Sequence, residues 1–156
     1  MKKIQAKITL LSQEDKTVVP IQITYDNNED TINPVSEIAL IYDEVQYKGY
    51  GTSYLWENTF ADLQSKLPKD VKIASCMTCR YGNMCPYGNI ENQLYCIKAF
   101  KTDSKIDLCA LFDNINFDKN QRVSSFDYCD DFAYQSKDYF TYNDYLYYLQ
   151  KQLGNE

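Results

Sequence analysis

Lys3-Ile-Gln-Ala-Lys-Ile-Thr-Leu10 alternates polar and apolar residues without a break. Ile4, Ala6, Ile8 and Leu10 fall on one side of an extended chain and Lys3, Gln5, Lys7 and Thr9 on the other, the period of two that makes a half-buried strand. Gln13 to Lys16 supplies a turn. Val19, Ile21, Ile23 and Tyr25 then resume the apolar face, and Pro20, which lacks a backbone donor, places this strand or its start at a sheet edge. Asn27 to Pro34 is polar and aperiodic, a loop. From Glu37 to Gly51 the alternation returns in Ile38, Leu40 and Tyr42, then Val45 and Tyr47, as a hairpin turning at Asp43-Glu44. Residues 1–51 are therefore expected to form a β-meander.

Beyond it the period changes. Leu55, Trp56, Thr59, Phe60, Leu63 and Leu67 share one stripe at helical spacing, while Glu57, Asp62, Gln64 and Lys66 lie off it. This predicts a helix over 53–67, capped by Thr52 or Ser53 and ended by Pro68. Trp56 on that stripe is a core residue rather than a ligand platform. Val71, Ile73 and Ser75 predict a short strand, and Leu94 to Phe100 another. Ile106 to Phe112 is a short helix with Cys109 as a small buried residue. Thr141-Tyr-Asn-Asp144 resembles a capping box that opens a helix over 142–152, with Tyr142, Tyr145, Leu146, Leu149 and Leu153 on its stripe. The expectation is one α+β domain over 1–156: a mainly antiparallel sheet from 3–51, 71–75 and 94–100, packed against the helices at 53–67 and 142–152. Helix and strand alternate too sparsely for a doubly wound parallel sheet.

Chemistry concentrates between two of these strands, in Ser75-Cys-Met-Thr-Cys-Arg-Tyr-Gly-Asn-Met-Cys-Pro-Tyr-Gly-Asn89, with Cys96 close behind. A Cys-x-x-Cys pair puts two sulfurs on one tight turn, and Gly82, Pro86 and Gly88 bend the chain back towards it. Four thiolates suit a structural zinc, which makes 76–96 a cysteine-rich metal loop. Cys76, Cys79 and Cys96 belong to the ligand set on any reading, and Cys85 or Cys129 completes it. Such a centre carries a formal charge of about −2, and Arg80, Lys98, Lys101 and Lys105 are the nearby cations able to donate to the sulfurs. Buried thiols, disulfides and an iron–sulfur cluster are the other readings. Cys85-Pro86 matches the end of a ferredoxin motif whose preceding C-x2-C-x2-C run is missing here. A thioredoxin-type pair needs a helix to begin at the first cysteine, which Gly82, Pro86 and Gly88 break.

Composition limits the functions open to the chain. Its 156 residues suit one domain able to bury roughly 70% of its unfolded surface, so no staple is needed for folding. The net charge of −6 argues against nucleic acid and anionic membrane as partners. Gln5, Lys7 and Thr9 interrupt any signal-peptide core, and nothing approaches a transmembrane span, so the cytoplasm, where thiols stay reduced, is the expected compartment. With no histidine, the usual catalytic triads and imidazole acid–base chemistry are excluded. A Cys129 nucleophile would sit among Asp127, Asp130 and Asp131, whose charges oppose thiolate formation. Seven tyrosines between Tyr128 and Tyr148 alternate with aspartates, a composition suited to binding another protein, a basic one in particular, unless the rings pack inward. The expected function is thus a non-enzymatic protein-binding module with a structural zinc. The alternative is a cysteine-dependent enzyme or a redox or iron–sulfur protein using the same cysteines.

The segment Cys76-Met-Thr-Cys-Arg-Tyr-Gly-Asn-Met-Cys-Pro-Tyr-Gly-Asn89, then Cys96, and the late Phe140-Thr-Tyr-Asn-Asp-Tyr-Leu-Tyr-Tyr-Leu149 resemble a family of small bacterial proteins that has no assigned activity; the helix from Trp56 to Pro68 fits the same pattern. The resemblance covers the last two thirds of the chain. It implies a shared fold and a bacterial cytoplasmic setting, and no reaction. Some relatives of that kind lack a cysteine at the place of Cys85, which puts that ligand in doubt and raises Cys129.

Overall fold

The computed structural model describes residues 1–13, 15–26, 35–52, 56–88, 93–114, 117 and 121–154. The loop expected at 27–34, Ser53 as a cap and the first turn of the 53–67 helix lie outside them. β1 (Lys2–Ser12), β2 (Asp15–Tyr25), β3 (Val35–Tyr42) and β4 (Val45–Thr52) form the expected antiparallel meander, and β5 (Val71–Ala74) adds to its far side, in the order β4-β3-β2-β1-β5. The register pairs Ile8 with Val19, Ile23 with Ile38 and Leu40 with Tyr47, so the apolar sets of neighbouring strands share one face. Ile8, Leu10, Ile21, Ile23, Ile38 and Ile73 are fully buried there. Pro20 pairs with Lys7 of β1 but lies outside the pairing of β2 with β3, which runs from Ile21 to Tyr25, so the start of β2 is the part that suits a proline. Asp43 and Glu44 both take left-handed backbone angles, φ 50 and 66, the tight turn whose twist matches the strands it joins.

α1 (Trp56–Lys66) covers the sheet with Phe60, Ala61 and Leu63, and the rings of Tyr25 and Phe126 stand 5.6 and 5.7 Å from Trp56, which packs in the core as expected. Its backbone comes so close to β4 that a Cβ on Gly49 would lie 2.6 Å from the Thr59 carbonyl oxygen. The polar residues of α1 are not merely solvated. Tyr50 N–H of the edge strand β4 donates to Asp62 Oδ2 at 2.8 Å, Thr52 N–H to Asn58 Oδ1 at 3.2 Å, and Lys66 Nζ donates to the Lys48 carbonyl at 3.0 Å. At the opposite edge, Gln64 donates to Val71 O at 2.8 Å and accepts from Ile73 N–H at 2.7 Å. Gln64 is buried for that reason, although it lies off the apolar stripe.

The segment 94–100 departs from expectation. Only Leu94–Cys96 is strand, β7, and it belongs to a second, three-stranded sheet with β6 (Gly82–Asn83) and β8 (Arg122–Val123), not to the main one. Leu94 packs in the main core, but Tyr95 and Ile97 serve a separate small one with Leu108 and Phe117, under Phe100 and Phe112. α2 (Lys105–Phe112) supplies Leu108; the Ser104 hydroxyl caps it by accepting from Asp107 N–H at 3.3 Å. Cys109 is half-buried there, not buried. α3 (Tyr145–Gln152) begins three residues after the expected start and packs on α1 rather than on the sheet. Thr141 is not its cap, because its hydroxyl donates to the Arg80 carbonyl at 2.7 Å. The architecture is α+β with antiparallel sheets, as expected.

Candidate functional site

β5 delivers the chain to Ser75, where Thr78 closes a tight turn: its hydroxyl donates to Ile73 O at 2.8 Å, accepts from Ser75 N–H at 3.1 Å, and its own N–H reaches Ser75 O at 3.0 Å. Cys76 and Cys79 flank this turn. Gly82 follows, with its N–H on Cys79 O at 3.1 Å, and a side chain there would overlap the Cys76 carbonyl. Gly82 is also the partner of Cys96 across β6 and β7, which brings Cys96 back beside the turn.

The fourth approach is made by the segment 125–135. Cys76 N–H donates to Asp127 O at 2.8 Å, Met77 N–H to Ser125 O at 3.3 Å and Arg80 N–H to Ala133 O at 2.8 Å, and Cys79 forms a β-bridge with Tyr134. Between these anchors the chain loops out through the exposed Cys129, closed by Phe132 N–H on Cys129 O at 3.0 Å. Lys98 Nζ ties the loop to the residues after β7 through Asp131 Oδ2 at 2.9 Å.

Burial and neighbouring groups act on two of these thiols. Burial pushes the Cys76 thiol up to about 12, and the neighbouring Cys79, Asp127, Cys96 and Cys129 push it the same way. Cys79 is raised by burial and by Cys96 and Cys129, while main-chain hydrogen bonds from Ala133 and Tyr81 favour its thiolate. Lys98 is held protonated chiefly by Asp131, with Cys129 and Cys96 adding to the effect. Cys85 does not belong with these thiols: it packs against the second core. All six cysteines are free thiols, and no group of three or more His, Cys, Asp or Glu side chains among the described residues is gathered closely enough to hold a metal ion. A formed metal loop is therefore not shown by the described residues of 76–96.

The carboxylates around Cys129 are dispersed. Asp127 accepts from Ser124 N–H at 3.0 Å, Asp131 is paired with Lys98, and Asp130 is exposed. Of the expected donors to sulfur, Arg80 donates instead to Tyr134 O at 3.2 Å and lies 5.0 Å from the Tyr139 ring. The seven tyrosines from Tyr128 to Tyr148 divide: Tyr145 is buried, Tyr134 and Tyr147 are exposed, and the other four are half-buried.

Two features were not apparent in the sequence. Residues 141–145 clamp the cysteine turn: Asn143 Nδ2 donates to Met77 O at 2.8 Å and Gly82 O at 3.1 Å, Tyr142 N–H donates to Asn83 Oδ1 at 2.6 Å, and Met84 N–H donates to Tyr142 O at 2.8 Å. Glu57, which lies off the α1 stripe, is buried with Oε1 accepting from Asp144 N–H at 3.1 Å. Burial holds its carboxyl above the ordinary 4.5, the Asp144 N–H opposes this, and the Asp144 charge reinforces it. A carboxyl raised on folding stabilises the fold fully below its unfolded value and loses that contribution as pH rises through the folded one. Glu57→Gln is expected to gain stability relative to wild type as the pH rises from about 4 to 7, read from urea unfolding at both; parallel pH dependences would refute this.

No family model matches the chain, and neither a curated protein nor a solved structure matches it. No helix among the described residues is long and apolar enough to cross a membrane.

Proposed function

We propose that Cys76, Cys79, Cys96 and Cys129 bind one structural zinc ion, and that the protein is a non-enzymatic binding module for another protein. The metal reading is supported by the main-chain pairing that brings β7 with Cys96 and the 125–135 segment with Cys129 alongside the turn at 76–79, and by Lys98, tied to that segment through Asp131, as a cation to offset the negative charge of a tetrathiolate centre. Cys85, in the other core, drops out of the ligand set. The exposed Cys129 loop has to draw inward on binding, which makes the ion a cross-link between the 125–135 segment and the turn at 76–79. Four protein ligands leave no position for water, so this centre is structural. The binding reading is supported by exposed Tyr134 and Tyr147 near the exposed Asp130, Asp131, Asp138 and Asp144, a surface suited to a basic partner.

Elemental analysis of protein purified without chelator is expected to give about one zinc per chain, retained in Cys85→Ser and lost in Cys129→Ser. Equal metal content in both variants, or metal-free wild type that fails to take up added zinc, would end the proposal. A second reading, cysteine-based chemistry, is favoured by the exposure of Cys129 beside Lys98. Rapid alkylation of Cys129 in zinc-loaded protein at neutral pH would support it, whereas a metal ligand reacts slowly.

A further inference from the structure

Beside the clamp lies a cavity of about 200 Å³, with Glu57 and Asp144 on its wall together with Met84, Cys85 and Tyr142. Glu57 is only 4% exposed, and its Oε2 has no hydrogen-bond partner among the described residues. A buried carboxylate oxygen left unpaired is costly, and Glu57, a side chain of the cavity wall, carries this enclosed one. Asp144 is exposed and in contact with Glu57 through its own N–H, so two carboxyl groups run from the buried part of the cavity to solvent. None of the described lining residues is basic. Lys105, whose ammonium stands 5.2 Å from the Tyr142 ring, is outside the lining.

We propose that this cavity binds an alkylammonium group, its nitrogen between Glu57 and Asp144 and its carbon chain against Met84 and Tyr142. A monovalent organic cation fits the wall better than a metal ion does, because two carboxylates face thioether and aromatic surface rather than further oxygen ligands. Charge-assisted hydrogen bonds from an ammonium satisfy Oε2 and separate the two negative charges. The frame is already set: Tyr142 is fixed through Asn83, and Asn143, which uses both its amide hydrogens and its oxygen in internal bonds, holds the segment that carries Asp144. Burial, which keeps the Glu57 carboxyl protonated to higher pH, is opposed by the bound cation. The site does not depend on zinc.

The same chemistry is carried by a free alkylamine and by a lysine side chain of a basic partner protein. Titration of the full chain with n-butylammonium chloride and with Nα-acetyl-lysine methylamide, followed by amide NMR shifts at Glu57, Tyr142 and Asp144, is expected to show saturable binding of at least one; tighter binding of the lysine derivative assigns the site to a partner's side chain, and tighter binding of butylammonium assigns it to a free amine. Glu57→Gln keeps an oxygen to accept the Asp144 N–H and is expected to weaken binding at least tenfold with an unchanged circular dichroism spectrum. Asp144→Asn provides a second variant that leaves the buried position untouched, with a smaller loss expected. Saturation by 1-butanol at the same concentration as butylammonium, unchanged affinity in both variants, or no shift with either ammonium would overturn the proposal.

Discussion

Phe60→Ala is expected to cost about 3–5 kcal/mol of folding free energy, measured by urea unfolding with an unchanged slope. The ring is fully buried at the middle of α1, and it stacks on Phe126 with centroids 5.5 Å apart. Phe126 in turn contacts Trp56, which contacts Tyr25 of β2. Removing the ring therefore opens a cavity at the place where helix, sheet and the 125–135 segment meet, and none of the three can collapse into it without leaving another. A loss below about 1 kcal/mol would mean that this junction is not packed as described.

Gly49→Ala is expected to be as damaging despite adding a single carbon. The new atom would stand 2.5 Å from Leu63 Cβ, 2.6 Å from Thr59 O and 2.7 Å from Leu63 N, and two of these belong to helix backbone that no rotamer change can move. Overpacking of this kind costs about 1–3 kcal/mol or more. Here the only relief is to lift α1 off β4, which also stretches the bonds from Tyr50 and Thr52 to Asp62 and Asn58. Lys48→Ala, next door on the opposite face and losing only a solvent-exposed contact to Glu37, is expected to cost under about 1 kcal/mol. Equal thermal shifts for the two variants would contradict the close approach of helix and strand.

The meander was legible because Ile4 to Leu10, Val19 to Tyr25 and Ile38 to Tyr47 each carry enough residues for a period of two to stand out. The second sheet was not, since Gly82-Asn83 and Arg122-Val123 are two-residue strands and no period exists in two residues. Glu57 and Gln64 read as a polar helix face; their burial is imposed by Asp144, 87 residues away, and by β5, neither of which helical spacing can show. Thr141 looked like a helix-capping residue because a side chain that caps a helix can also bond any nearby carbonyl, and here that of Arg80 is the nearer one. Spacing left Cys85 and Cys129 as rivals. The main-chain bonds of Cys76 and Met77 to Asp127 and Ser125 bring the Cys129 loop alongside the turn, while Cys85 turns to the second core.

The bonds that α1 makes to β4 and β5 bear on how copies of this chain behave towards one another. A sheet grows by adding a strand from another molecule to the free amides and carbonyls of its outermost strands. One helix occupies such groups at both rims, through Asn58, Asp62 and Lys66 on one side and Gln64 on the other. Among what stays open is the part of β1 before Thr9, where β5 has not yet begun and the side chains include exposed Lys2, Lys3 and Lys7. A second copy presenting the same strand would bring like charges together, so the fold resists templated assembly by occlusion where it can and by repulsion where it cannot.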